Sequence, residues 1–322
     1  LSVTYGSNTN AGTASASASF AGDANHTGSS DSTTFTIDKA PSTTTVTCPA
    51  TVVYTGSPIT PCSAAVTGAG GLSQTLSVTY GSNTGVGTAS AAASYAGDAN
   101  HLSSSNSTTF GITKATLLVS ANSLSKTIGA ANPPLTYTIT GFLGTDTAAS
   151  SVTGSPSLST TATTGSPVGS YPISIAAGTL ASVNYQFTLV GATLTVYYRF
   201  DGFLQPINDT AHSQTCGATC PISIFKAGST IPVKFELKRS DGSIVPANAP
   251  PTFTGPVKGG KTTDPVDESA YTELPTPGSS FSLNGGQYQY NWSTKGLQAG
   301  YYYRIGAVLD DGTVQYVYIG LR

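Results

Sequence analysis

The residues that best suit metal binding or catalysis, by type and spacing, are Asp209, His212, Cys216 and Cys220. Cys, His and Asp side chains are zinc ligands, and a Cys–His pair can form a thiol nucleophile. A zinc site, however, needs a complete set of four ligands, and a fourth ligand is not obvious here. The stretch therefore favours a small Cys216–Cys220 disulfide loop over a zinc site or a catalytic pair.

The four cysteines fall as two close pairs, Cys48 with Cys62 and Cys216 with Cys220. Of the possible connectivities, this spacing favours the two local bridges. Because disulfides persist outside the cytosol, the pairing predicts an extracellular or cell-surface protein.

A Gly-Asp-Ala-Asn-His loop occurs twice, with Asp23 and His26 in one copy and Asp98 and His101 in the other. Calcium is one possible ligand, but a single carboxylate per turn is a poor ligand set. An Asx turn, in which the Asp side chain accepts a backbone N–H, is the favoured interpretation. Other weak calcium candidates are interpreted as solvated loops or a hairpin turn: Asp264, Asp267, Glu268, Asp310 and Asp311.

Aromatic residues concentrate near the C-terminus. They are Tyr288, Tyr290, Trp292, Tyr301, Tyr302, Tyr303, Tyr316 and Tyr318. On an exposed sheet face they could stack on sugar rings, but alternating strand aromatics more often pack in a core. Carbohydrate binding therefore remains the alternative function. No nucleophile–base–orienter set is evident, so the sequence predicts no enzyme, no cofactor and no metal.

Composition narrows the class of protein. Only 9% of residues are charged, against about 25% in an ordinary domain, and the net charge is −2. This excludes the basic footprint needed for nucleic acid or an anionic membrane surface. No stretch approaches the roughly 20 apolar residues of a membrane helix. Tyr, Val and Thr favour strands, and the absence of Met predicts a processed piece of a longer precursor.

Internal repetition is the strongest signal in the sequence. Residues 1–40 recur at 76–115, with 31 of 40 positions identical at an offset of 75. Leu76, Val78 and Tyr80 alternate with polar residues, as in a half-buried strand. Short strands separated by Gly, Asn and Asp turns predict tandem immunoglobulin-like β-sandwiches. Repeats join without a spacer at 35–46 and 108–119, which predicts an elongated rod.

Three family resemblances cover nearly the whole chain. Residues 41–115 resemble bacterial Ig-like repeats through TGSPITPCSAAVTGAGGLSQ and SYAGDANH. Residues 116–196 resemble the MBG-type Ig-like module through NPPLTY, SPVGSY and NYQF, although Lys126 is followed by Thr-Ile-Gly where Tyr-Gly is common. Residues 197–322 resemble the PxKF-type module through Pro232-Val233-Lys234-Phe235. These resemblances imply module type and carry no shared chemistry.

The last module also indicates β-structure by itself. Ile231, Val233, Phe235 and Leu237 alternate with polar residues, and Asp311-Gly312 predicts a hairpin between 301–309 and 313–321. The Pro- and Gly-rich region 246–280 predicts a long irregular excursion.

The predicted domains are an incomplete repeat (1–40), a complete repeat (41–115), an MBG-type module (116–196) and a PxKF-type module (197–322). Residues 1–40 lack the equivalent of 41–75, so we expect a bare apolar face. Either upstream modules complete it, or another copy supplies the missing strands. The second alternative predicts a bacterial surface stalk or filament that self-associates head-to-tail. The expected interface comprises Ala14, Ala16, Ala18, Phe20, Gly320, Leu321 and Arg322. A glycan or cell-surface ligand, or a place beside a secreted enzyme, are the alternatives.

Overall fold

The computed structural model of the chain describes residues 1–207, 223–262 and 276–322. In residues 1–40, alternating small apolar and polar residues form three strands. The strands are β1 (Thr4–Gly6), β2 (Gly12–Phe20) and β3 (Ser29–Ile37). They make one antiparallel sheet in the order β1-β2-β3, with Ala14 opposite Phe35.

Residues 41–115 form two sheets. The strands are β4 (Ser42–Thr47), β5 (Thr51–Val53), β6 (Ser63–Gly68), β7 (Ser73–Leu76), β8 (Thr79–Gly81), β9 (Gly87–Tyr95) and β10 (Ser104–Thr113). One sheet has the order β4-β6-β7 and the other β5-β10-β9-β8. β8–β10 reproduce the register of β1–β3, since Thr79 pairs with Ala92 as Thr4 pairs with Ser17. The predicted Cys48–Cys62 disulfide is present, and its two cysteines lie before and after β5 in the sequence.

The next segment begins almost without a spacer, because β10 ends at Thr113 and β11 starts at Ala115. Its elements are β11 (Ala115–Ala121), β12 (Leu124–Thr127), β13 (Tyr137–Thr140), α1 (Ala148–Ser151), β14 (Ser157–Thr160), β15 (Gly169–Ala176), β16 (Tyr185–Val190) and β17 (Ala192–Tyr197). The sheet orders are β13-β11-β16 and β12-β17-β15-β14. A capping box between Thr147 and Ser150 starts the short helix.

The last segment also has two sheets, β18-β20-β23-β22 and β19-β25-β24-β21. The strands are β18 (Phe203–Leu204), β19 (Ile224–Phe225), β20 (Thr230–Glu236), β21 (Thr252–Lys261), β22 (Ser282–Asn284), β23 (Gln287–Ser293), β24 (Tyr301–Val308) and β25 (Val314–Leu321). Ile231, Val233 and Phe235 of β20 and the following Leu237 are fully buried, as predicted. The alternation is seen in the second half of β20, where Lys234 and Glu236 are half-buried, whereas Pro232 is buried too. The predicted hairpin is also confirmed, because β24 and β25 pair antiparallel across Asp311-Gly312.

The prediction of an irregular excursion over 246–280 is wrong for β21, which pairs with β24. Its register shifts between Thr254 and Val257, so Gly255 and Pro256 occupy a bulge. β21 is an edge strand, and at an edge or a bulge a proline removes no essential ladder hydrogen bond. The Pro-Gly signal therefore marked a bulge rather than a loop.

The described chain divides into two compact units. The first comprises Leu1–Leu118, Ile139–Ser155 and Ala177–Thr188; the second comprises Val119–Thr138, Pro156–Ala176 and Leu189–Arg322. Each unit has its own hydrophobic core. The fold class, all-β with tandem sandwiches, is confirmed. No helix in the described ranges has the length and hydropathy needed to cross a bilayer.

Candidate assembly site

One face of the sheet in residues 1–40 carries apolar side chains that no second sheet covers within the described residues of the first unit. We call this the uncovered face and define it by Tyr5, Ala16, Ala18, Phe20 and Phe35. Tyr5 is 55% exposed and Phe35 40% exposed, and their rings meet edge to face with centroids 6.3 Å apart. The two alanines and Phe20 are half-buried.

Ala14 was expected on the bare face, but it is fully buried. Its methyl group is small, and its cross-strand neighbour is the large Phe35 ring. The cross-strand pair therefore shields Ala14 without any second sheet.

In the complete repeat the equivalent face is covered. Phe110, at the position of Phe35, is 2% exposed, and Ala91, at the position of Ala16, is fully buried. Both belong to a core that includes Val46 and Ala64 of the β4-β6-β7 sheet. Phe35 and Ala16 are the same residue types as Phe110 and Ala91, so the difference in exposure at these positions comes from the covering sheet.

The complete repeat also has a strand that residues 1–40 lack. β5 pairs in parallel with the end of β10, and the Gly111 N–H donates to the Ala50 carbonyl at 2.9 Å. In residues 1–40 the equivalent strand, β3, is the edge of its sheet. An unpaired strand edge beside an exposed apolar face is a typical surface for association.

Two junctions between modules use the same hydrogen bonds. The Asn100 Oδ1 accepts the Ala11 N–H at 3.0 Å, and the Asn184 Oδ1 accepts the Val86 N–H at 3.1 Å. Ala11 and Val86 are equivalent at the repeat offset of 75. The Asn100 and Asn184 carbonyls then accept the N–H groups of Ala40 and Ala115, which are also equivalent.

A lysine completes each junction. Lys39 donates to the Asp98 carbonyl at 2.5 Å, and the equivalent Lys114 donates to the Ser182 carbonyl at 2.7 Å. We call this set of contacts the joint. Its acceptor side is a short loop with an asparagine, and its donor side is a turn and a Lys-Ala pair.

The acceptor loop of the first joint is fixed by His101. Its Nδ1 lies 2.9 Å from the Asp98 carboxylate, and its Nε2 lies 2.9 Å from the Ala69 carbonyl oxygen. Both ring nitrogens face acceptors, which suits the protonated imidazole. The Ala69 carbonyl, and then Asp98, raise the pKa of His101. Hydrogen bonds from Tyr95 and His101 hold the pKa of Asp98 well below its usual range, against burial.

The second joint has further contacts that come from the 41–75 half of the repeat. The hydroxyls of Tyr54 and Tyr185 both donate to Asp146 Oδ2, at 2.8 and 2.7 Å. These bonds lower the pKa of Asp146, while burial and the carboxylate raise the pKa of Tyr185 to about 12. The Tyr185 hydroxyl also accepts the Leu143 N–H at 3.0 Å.

The other predicted site residues lie elsewhere. Gly320 and Leu321 are buried, and β25 pairs with β19 on one side and β24 on the other. The Arg322 N–H donates to the Phe225 carbonyl, so this strand end presents no free edge for another subunit. Asp209, His212, Cys216 and Cys220 lie outside the described residues, as do Asp264, Asp267 and Glu268.

The loop aspartates form Asx turns, as predicted. Asp23 Oδ1 accepts the Asn25 N–H at 2.9 Å, and Asp98 Oδ1 accepts the Asn100 N–H at 2.8 Å. In the described part of the chain, no group of three or more His, Cys, Asp or Glu side chains is placed to hold a metal ion.

Most C-terminal aromatics pack in the core, as favoured. Tyr288, Tyr290, Trp292, Tyr302 and Tyr303 are buried. Tyr316 and Tyr318, however, are 37% and 42% exposed. They lie on the outer face of β25, with the Arg304 guanidinium 4.6 Å from the centre of the Tyr316 ring.

Sequence reasoning missed Asn100, Asn184 and Asp146. The identity of Asn25 and Asn100 in the two loops was a signal for the joint, but it was interpreted only as turn chemistry. Asn184 lies outside the repeat, so the offset of 75 could not reveal it.

Comparisons with known proteins agree with the modular interpretation in one segment. A family model described as MBG domain (YGX type) matches residues 117–195, which is less than half of the chain. No curated protein gives a significant match. Among solved structures, the chain resembles "Protocadherin gammaB7 EC3-6 cis-dimer structure" at 11% identity and a TM-score of 0.20, covering 96% of this chain and 83% of that one. "Protocadherin Gamma B2 extracellular cadherin domains 3-6" gives 11% identity, the same coverage and a TM-score of 0.21. TM-scores this low carry no conclusion about function.

Proposed function

We propose that the chain is a non-catalytic structural protein of the bacterial cell exterior. It serves as a stalk or filament subunit whose copies join head-to-tail through residues 1–40. The observation that carries this proposal is the contrast between Phe35, 40% exposed, and its equivalent Phe110, 2% exposed. The Cys48–Cys62 disulfide supports an oxidising, extracellular compartment.

The partner surface in the next copy is the outer face of the β24–β25 hairpin and β21. Tyr318 lies opposite Arg304, and Arg304 lies opposite Val257, so these side chains share one sheet face with Tyr316. Val257 is 51% exposed, and both tyrosines are also exposed. Two sheet faces from different modules, each with exposed apolar side chains, can bury each other in a heterologous contact, which propagates a fibre rather than closing a dimer.

The test measures assembly of purified full-length chain by light scattering and electron microscopy. Phe35→Asp and Tyr318→Asp should each abolish fibres, because each places a charge in the contact. Thr34→Asp is the matched control, since Thr34 is the neighbouring exposed residue on the opposite face of β3. A parent chain that is monomeric at all concentrations would contradict the proposal, and so would fibres that persist in both aspartate variants.

Carbohydrate binding is the second candidate, favoured by the exposed Tyr316 and Tyr318 beside Arg304. Tyrosine faces stack on sugar rings, and an arginine hydrogen-bonds to their hydroxyl or carboxylate groups. Glycan-array binding that is lost in Tyr316→Ala but retained in Phe35→Asp would support this candidate over assembly.

A further inference from the structure

A second copy of the first joint's acceptor loop lies at residues 22–26, and no module among the described residues is docked on it. Asn25 is equivalent to Asn100 at the repeat offset of 75. Asn25 is exposed, whereas Asn100 is half-buried beneath the Ala11 turn. The loop at 97–101 therefore binds the Ala11 turn, whereas the equivalent loop at 22–26 has no such partner among the described residues.

The free loop already has the backbone geometry of the occupied one. The Asp23 N–H donates to the His26 carbonyl at 3.0 Å, as Asp98 does to His101 at 3.2 Å. The side chain of Asp23 also accepts from the Asn25 N–H, as Asp98 accepts from Asn100. A preformed acceptor loses little conformational entropy on binding.

We propose that the loop 22–26 is a docking surface for a further Ig-like module of the same repeat type. The module's turn places one backbone N–H on the Asn25 Oδ1. Its Lys-Ala pair then places an ammonium on the Asp23 carbonyl and an N–H on the Asn25 carbonyl. This contact involves a loop rather than the uncovered face, so it does not depend on the proposed mode of assembly.

Two features of the partner follow from the joints already formed. Both donor turns contain Gly-Ser-Asn, and both Lys-Ala pairs begin within two residues of the end of the last strand of a repeat. A module without the lysine loses the only charged donor of the joint. The surface therefore selects modules of this repeat type over unrelated β-sandwiches.

The experiment extends the full chain by a second copy of residues 1–75 placed before Leu1, which supplies a donor turn and a Lys-Ala pair to Asn25. Hydrogen–deuterium exchange is followed at the added copy's amides equivalent to Ala11 and Ala40. Both should be protected, and Asn25→Ala should speed exchange of the Ala11 equivalent about tenfold. Asn100→Ala is the positive control, because it should have the same effect on Ala11 itself.

Thr34→Ala, a change at an exposed residue of β3 outside the joint, should leave exchange unaltered. The proposal is overturned if the added amides are unprotected. It is also overturned if Asn25→Ala leaves them unchanged while Asn100→Ala accelerates Ala11. Fibre formation is not part of the readout, so failure here is distinguishable from failure of the assembly proposal.

Discussion

At the scale of single residues, the joint depends on how His101 is charged. The groups that face it are the Asp98 carboxylate and the Ala69 carbonyl, with Tyr95 and Lys39 bonded to Asp98 from the strand and from the neighbouring module. Only a doubly protonated ring donates to both acceptors at once. Protonation of His101 thus holds the loop that carries Asn100.

This charge makes the stability of the first unit pH-dependent. The folded state raises the pKa of His101 above its unfolded value of 6.5. The stabilisation is therefore fully present below the unfolded pKa and is lost as pH rises through the folded pKa. We expect the melting temperature to fall as pH rises above about 6.5, and His101→Gln to flatten that fall.

The matched control is His26→Gln. His26 occupies the same repeat position, but its side chain is 71% exposed and its ring bonds only to Asp23 among the described contacts. The control should leave the pH profile unchanged. A His101 imidazole that titrates at or below the unfolded value of about 6.5 in NMR spectra would contradict the prediction.

At the scale of elements, the two copies of one sheet allow the same substitution to be compared with and without a covering sheet. Phe110→Ala removes a ring from a closed core and should lower the free energy of unfolding by about 3–5 kcal/mol. Phe35→Ala removes the same ring from a position where Phe35 is 40% exposed. It should lower the free energy of unfolding by less than about 1 kcal/mol. Urea unfolding of both variants checks the difference, and equal losses would mean that the uncovered face is covered in solution.

The Cys48–Cys62 bridge belongs to the same scale, because it closes the segment that contains β5. It spans a sequence separation of 14, for which loop-closure entropy predicts a benefit of at most about 3 kcal/mol. Replacing both cysteines by serine should lower stability by up to that amount and leave Phe35 exposure unaltered. Non-reducing peptide mapping checks the bridge, and it also tests the Cys216–Cys220 pairing, which remains a prediction.

Sequence patterns predicted the strands well because period-2 alternation is a local property. Ala14, Ala16 and Ala18 alternate with serines, and β2 follows. Whether such a face is covered depends on a segment far away in the sequence, so the contrast between the exposed Phe35 and the buried Phe110 could not be anticipated. The exposed pair Tyr316 and Tyr318 posed the same problem, since alternation alone does not distinguish the two faces of a sheet. β21 was missed because Gly255-Pro256 indicates a turn unless its partner strand is known.

At the scale of the whole molecule, the expected rod remains a prediction drawn from the spacer-free junctions. A compact domain of this length has a radius of gyration of about 20 Å. Small-angle scattering from a monomeric variant such as Phe35→Asp should give a clearly larger value if the modules are arranged as a rod. A value near that of the compact domain would contradict it.

The sheets of residues 1–40 and 76–115 are equivalent, but these 322 residues contain one segment, 41–75, that can cover such a sheet. Residues 1–40 and 76–115 are nearly identical, and only the second sheet is covered. Exchanging 41–75 between copies would therefore cover one face and expose another, with no net burial. The proposed self-association therefore uses a different surface, with Tyr316 and Tyr318 of the next copy against the uncovered face.

Supplying the missing half within the chain tests this reasoning directly. A copy of residues 41–75 placed before Leu1 recreates the natural Thr75–Leu76 connection and should fold over Ala16, Ala18 and Phe35. We expect the extended chain to be monomeric by light scattering, with no fibres, because the uncovered face is then part of a core. In the control extension, the added Val66 equivalent becomes Asp; Val66 is fully buried in the repeat, so the control should not cover the face and should still assemble. Fibres that form equally in both extended chains would show that assembly uses a surface other than residues 1–40.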